Sequence, residues 1–128
     1  MRLLVDSAAF VWLVSEPFKL SEVAHRLITD ASNDLYLSAA SVWEIAVKYQ
    51  AGRLELSEDP AQLIPRAREA HGVLPLAFDE ESALTLARLP TLHRDPFDRM
   101  LICQAVTNSM AIITPDEAIH RYPVRALW

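Results

Sequence analysis

Short apolar runs, set apart by long stretches of helical period, constrain this chain more than anything else in it. RLLV (2–5), LYLSA (35–39), VLPL (73–76, the weakest) and AIIT (111–114) read as strands. Between them the pattern is helical. Ser7 can cap a helix over 8–15. A second helix starts near Ser21 and carries Val23, Ala24, Leu27 and Ile28 on one face. SVWEIAVKYQAG reads as a helix capped by Ser41 and closed by Gly52. Asp59-Pro60 opens another, which Pro65 is expected to kink or delay. Residues 79–89 and 95–109 read as helices, DEAIH as one or two turns, and PVRALW as a final edge strand. Short apolar strands alternating with helices indicate an α/β class with a largely parallel sheet.

The chain has 128 residues, enough for one domain over 1–128 with a real core, and 52% hydrophobic content argues against disorder. A single cysteine, Cys103, cannot form an internal disulfide, which points to a reducing compartment. Asp6 interrupts the opening apolar run, against a signal peptide. No stretch approaches the roughly 20 apolar residues of a membrane span. The expectation is a soluble, cytoplasmic protein without a membrane partner. A net charge of −5 speaks against gripping nucleic acid by charge alone. It leaves room for an enzyme that handles a phosphodiester through a metal ion held by carboxylates.

In open α/β sheets, ligands bind beyond the carboxyl ends of the strands. Asp6 follows LLV directly, and Asp116 stands two residues past AIIT. Glu44 is expected in the first turn of the helix after strand 35–39, and Asp98 in the first turn of its helix. Four acids from distant positions can thus converge. Left unpaired they would repel one another and raise some of their pKa values. A bound Mg²⁺ or Mn²⁺ relieves this, since both prefer oxygen ligands. Each acid also has a structural reading. Asp95 fits an N-cap before Pro96, with Asp98 returning a capping-box-like bond. Ser41-x-x-Glu44 fits a capping box, and Asp116 can cap the short helix after Pro115. Asp6 is the hardest to explain this way.

Four segments spread over nearly the whole chain carry a resemblance: LLVDSAAFVWL, SAASVWEIAVKYQAGRL, HRDPFDRMLICQA and IITPDEAIHRYPVRALW. Together they resemble PIN-domain ribonucleases, specifically the VapC-like toxins of bacterial toxin–antitoxin pairs. The resemblance implies a three-layer α/β/α fold around a mostly parallel sheet of about five short strands. It implies RNA cleavage dependent on Mg²⁺ or Mn²⁺, inhibition by a cognate antitoxin, and a homodimer. The family's acidic quartet falls on Asp6, Glu44, Asp98 and Asp116. The first and third are the usual direct metal ligands. Ser7 takes the place of the hydroxyl residue after the first acid, and Thr114 that of a hydroxyl at the last strand's end. Family members often carry Thr and then His after the first aspartate; Ser7 and Ala8 keep the hydroxyl and lose the imidazole.

Arg94 and Arg99 can balance the acids or touch RNA phosphate, or else serve as exposed solubilising charge. His93 is expected to bond to a backbone group and hold its loop. The four histidines lack zinc-ligand spacing. Trp12, Trp43 and Trp128 read as core or interface anchors, and Cys103 as a small apolar core residue. Two other classes compete: a phosphoacceptor receiver domain and a non-catalytic partner-binding module. Receiver domains resemble one another in an acidic pair after the first strand and a lysine after the last. Here Asp6 stands alone, and the only lysines are Lys19 and Lys48.

Overall fold

The computed structural model describes every residue from Met1 to Trp128. Five parallel strands form one sheet: β1 (Arg2–Val5), β2 (Asp34–Ser38), β3 (Val73–Leu76), β4 (Ala111–Ile113) and β5 (Ala126–Leu127). Their spatial order is β3-β2-β1-β4-β5. The chain therefore builds outward from β1 on one side and then crosses to the other. Seven α-helices cover the sheet: α1 (Ser7–Ser15), α2 (Glu22–Thr29), α3 (Ala39–Gln50), α4 (Pro60–His71), α5 (Glu80–Leu84), α6 (Pro96–Asn108) and α7 (Glu117–His120). No helix is long and apolar enough to cross a membrane.

Strand period explains the three layers. Successive side chains point to opposite faces, so a strand covered on both sides must be apolar throughout. Leu3, Leu4 and Val5 are all fully buried. Leu3 and Val5 join Leu35, Leu37 and Ile113 beneath Phe10 of α1, Ala24 and Ile28 of α2, Ile45 of α3 and Ile64 of α4. Leu4 and Ile112 face the other way, onto Leu101, Ile102 and Ala105 of α6, Ile119 of α7, and Tyr122. Cys103 is buried and unpaired, as its apolar neighbours in sequence imply.

Several helix boundaries differ from expectation, and two of the differences bear on functional side chains. Asp6, not Ser7, caps α1: its Oδ1 accepts the Ala9 N–H at 2.8 Å. Ser38 caps α3 through the Ala40 N–H at 3.0 Å, so the helix starts directly at the strand's end. Ser41 is then an interior helical residue, buried, with no partner for its hydroxyl. The capping box with Glu44 does not form, and Glu44 sits in the second turn. Helix α4 starts at Pro60 and runs through Pro65 without a break, capped by Asp59 and closed by Gly72 at φ 66°. The 79–89 stretch is α5 followed by a 3-10 turn over Thr85–Arg88. The last strand is an edge strand of two residues.

Helix α6 begins as expected, with Asp95 Oδ1 accepting the N–H groups of Phe97 (2.9 Å) and Asp98 (3.2 Å) and Pro96 in the first turn. It ends at Ser109 in the left-handed region, φ 55°. A side chain pays a steric cost there that glycine avoids. Ser109→Gly is expected to stabilise the fold by about 0.5–1 kcal/mol, read as a higher midpoint in urea unfolding with an unchanged slope.

Candidate active site

The strand order decides where the acids meet. Asp6 directly follows β1, Thr114 directly follows the adjacent β4, and α3 leaves the end of β2 on β1's other side. Three chain segments therefore open onto the same carboxyl edge of the sheet, and the N-terminus of α6 faces them. Asp6, Glu44, Asp98 and Asp116 line one open hollow of about 330 Å³, together with Ser7 and Asp95. All four acids named from the sequence are brought together.

Each is held at a defined oxygen. Asp6 is buried; one oxygen caps α1 and the other accepts the Thr114 hydroxyl. The Thr114 hydroxyl in turn accepts the Asp116 N–H at 3.0 Å, so one side chain ties two of the acids. Asp116 Oδ1 caps α7 through the Ala118 N–H at 2.9 Å. The His120 Nε2–H donates to the Thr114 carbonyl at 2.9 Å and braces that turn. Glu44, also buried, accepts the Ser7 hydroxyl on Oε1 (2.6 Å) and Lys48 Nζ on Oε2 (2.6 Å). Asp98 makes no capping-box return bond: its Oδ2 meets His93 Nε2 at 3.0 Å. His93, expected to bond to backbone, places its ring between Asp98 and Tyr122.

The cations differ from expectation. Arg94 and Arg99 line another, mainly apolar hollow with Pro96, Met100 and Cys103. Lys48 and Arg53 line the acidic one. Sequence reasoning missed both, although the i, i+4 spacing of Glu44 and Lys48 was a usable signal. Trp12 lines the hollow and packs at 5.8 Å on Trp128, while Trp43 is two-thirds exposed and anchors no core.

Oxygen donors alone suit a hard divalent cation. No three of these side chains are already drawn into a closed cage. Asp6, Asp98 and Asp116 lean on hydroxyl, imidazole and amide donors; Glu44 alone has a neutralising cation. Burial raises the Asp6 carboxyl to about 6; the Thr114 and Ala9 hydrogen bonds oppose the rise, and the charges of Asp116 and Glu44 add to it. Burial also raises Asp98 to about 7, against the His93 contact and with the charges of Asp95 and Asp116. A site that holds carboxylates at this cost fits a positive ion.

A PIN domain model matches residues 3–124, and the chain belongs to the PIN domain family. Ribonuclease VapC16 of Mycobacterium tuberculosis is 40% identical over 53 residues, 41% of this chain and 38% of the relative. The chain thus spans well under half the length of that curated relative. The toxin–antitoxin complex VapBC2 from Rickettsia felis, bound to a promoter DNA fragment, superposes with a TM-score of 0.73 at 12% identity, covering 99% of this chain and 98% of that one. The DNA-bound VapBC from Salmonella typhimurium gives 0.69 at 17% identity, covering 99% and 97%. These likenesses establish the fold, a three-layer α/β/α PIN fold with a five-stranded parallel sheet.

The raised acids fix the sign of a pH effect. Asp6 binds its proton more tightly in the folded chain (about 6) than the ordinary 3.8 of an unfolded one. The stability this lends is fully present below 3.8 and is lost as pH rises through about 6; Asp98 extends the window to about 7. The exposed acids Asp30 and Asp79 act in the opposite sense, with pKa values below the ordinary range. Without metal, the protein is expected to melt higher at about pH 5 than at about pH 7.5. Asp6→Asn keeps the cap and should raise the neutral-pH stability by up to ~3 kcal/mol, flattening the pH dependence in calorimetric melts.

Proposed function

We propose that this chain is a divalent-metal-dependent endoribonuclease, one domain over 1–128, acting as the toxin of a toxin–antitoxin pair. The observation that carries the reading is the acidic hollow, where four carboxylates from four segments meet and two are strained upward in pKa. The nuclease class also draws support from the stretch shared with Ribonuclease VapC16, and the toxin role from the VapBC-like fold.

Asp6 and Asp98 would hold Mg²⁺ or Mn²⁺ directly, with Asp116 and Glu44 acting through water or a second ion. A divalent ion bound there supplies a more acidic water as nucleophile and a counter-charge for the phosphoryl oxygens. The Thr114 hydroxyl orients Asp6, and the Ser7 hydroxyl orients Glu44. Lys48 and Arg53 line the hollow that holds the acids, whereas Arg94 and Arg99 line another, so backbone grip would fall to the first pair. The antitoxin would seat an apolar segment on the face of α1–α3, where Phe18, Val23, Trp43 and Val47 are exposed. The working form would be a cytoplasmic homodimer.

Asp98→Asn should lower RNA cleavage roughly 100-fold or more and relieve growth arrest on expression, with an unchanged circular dichroism spectrum. A wild-type rate would remove the metal assignment. Arg53→Ala should raise KM for RNA and flatten its salt dependence while leaving kcat nearly unchanged. Absence of saturable Mn²⁺ binding in calorimetry would favour the non-catalytic partner-binding module instead.

A further inference from the structure

His93 stands between Asp98 and a phenol whose bonding capacity is fully accounted for. The Tyr122 oxygen lies 3.2 Å from the His93 N–H and 3.3 Å from the Leu92 N–H, and both amides can only donate. Those two bonds take both lone pairs of the phenolic oxygen. The same oxygen is 2.8 Å from His93 Nδ1. The one remaining capacity on Tyr122 is its own proton, so the phenol donates and Nδ1 accepts. A neutral imidazole with an accepting Nδ1 carries its proton on Nε2, and that nitrogen faces Asp98 Oδ2 at 3.0 Å. A doubly protonated ring would set a third donor against an oxygen with no lone pair left.

We propose that Tyr122 and His93 are positioning residues: Tyr122 locks His93 as the neutral Nε2–H tautomer, which holds one oxygen of Asp98 in place for the ion. This rests on the metal-dependent reading above.

The location gives the relay its purpose. Tyr122 is buried in the core formed with Leu4, Ile112 and Ile119, only two residues past α7. Asp116 caps the start of that helix, and Asp98 stands in the first turn of α6. Asp98 and Asp116 line the same hollow from two separate segments. The Tyr122–His93–Asp98 chain joins them with neutral donors. It orients the Asp98 carboxylate without supplying a positive charge that would compete with the ion. Partners that orient a ligand in this way typically matter 10–100-fold in metal affinity.

The test uses the full chain and separates the two readings. Nitrogen-15 NMR of the metal-free protein at mildly alkaline pH should show His93 with a protonated Nε2 and a bare Nδ1. Tyr122→Phe keeps the buried ring and removes the hydroxyl, and should give a mixture of tautomers and a shifted Asp98 carboxyl carbon-13 signal. By calorimetry, Tyr122→Phe and His93→Leu should weaken Mn²⁺ binding about tenfold or more, whereas His93→Gln, whose amide N–H can replace Nε2–H, should stay within about threefold of wild type. A protonated Nδ1 in the wild type overturns the tautomer, and wild-type Mn²⁺ affinity in Tyr122→Phe overturns the positioning role. If the wild type binds no Mn²⁺, the metal reading fails. The proposal then stands or falls on the tautomer and on the Asp98 signal, and an unmoved signal in Tyr122→Phe overturns it.

Discussion

The arrangement of this molecule depends on one buried carboxylate at a strand-to-helix junction. Asp6 directly follows the central strand, caps the helix after it, and accepts the hydroxyl of Thr114, which directly follows the neighbouring strand. An N-cap contributes about 1 kcal/mol. Moving the same carboxyl from 3.8 to about 6 costs roughly 3 kcal/mol at neutral pH. The cost exceeds the cap, and an uncharged serine or asparagine would cap as well without it. Capping therefore does not account for an aspartate here. Its charge does, once the hollow is read as a seat for a cation.

Under the proposed nuclease reading, the same logic reconciles an acidic chain with a polyanionic substrate. At −5 the overall field repels RNA. The four acids concentrate negative charge where a divalent ion can enter, while Lys48 and Arg53 put positive charge on the hollow's wall. On that reading, affinity would come from a few local contacts and not from a basic face, which would suit recognition of RNA by shape.

Much of this was legible in the sequence, and the failures have identifiable causes. The four strands read as apolar runs appear where expected because buried parallel strands must be apolar on both faces. The acids could be placed at one edge because Asp6 follows such a run directly and Asp116 stands two residues past another. Ser41-x-x-Glu44 misled because Ser38 offers the same hydroxyl three residues earlier, and a local pattern cannot tell where the preceding strand stops. The direction of Arg94 and Arg99 depends on how the N-terminus of α6 sits against α5, which no spacing encodes. The bond between His93 and Tyr122 joins residues 29 apart, a separation that no local pattern encodes.

The partners of the acids divide them into two kinds. Glu44 is met by Lys48, a full positive charge, and by Ser7. Asp6, Asp98 and Asp116 are met by a hydroxyl, a neutral imidazole and backbone amides. A fold needing these acids only as struts would gain more from opposing each with an arginine, since an unpaired buried charge is costly. Neutral donors do something else: they fix direction and leave the charge uncompensated. Three directed, uncompensated carboxylates beside one compensated glutamate make an incomplete electrostatic arrangement. On the proposed metal-dependent reading, what completes it is small, positive and oxygen-seeking, and Glu44, already balanced, is the acid best suited to holding a water instead of the ion.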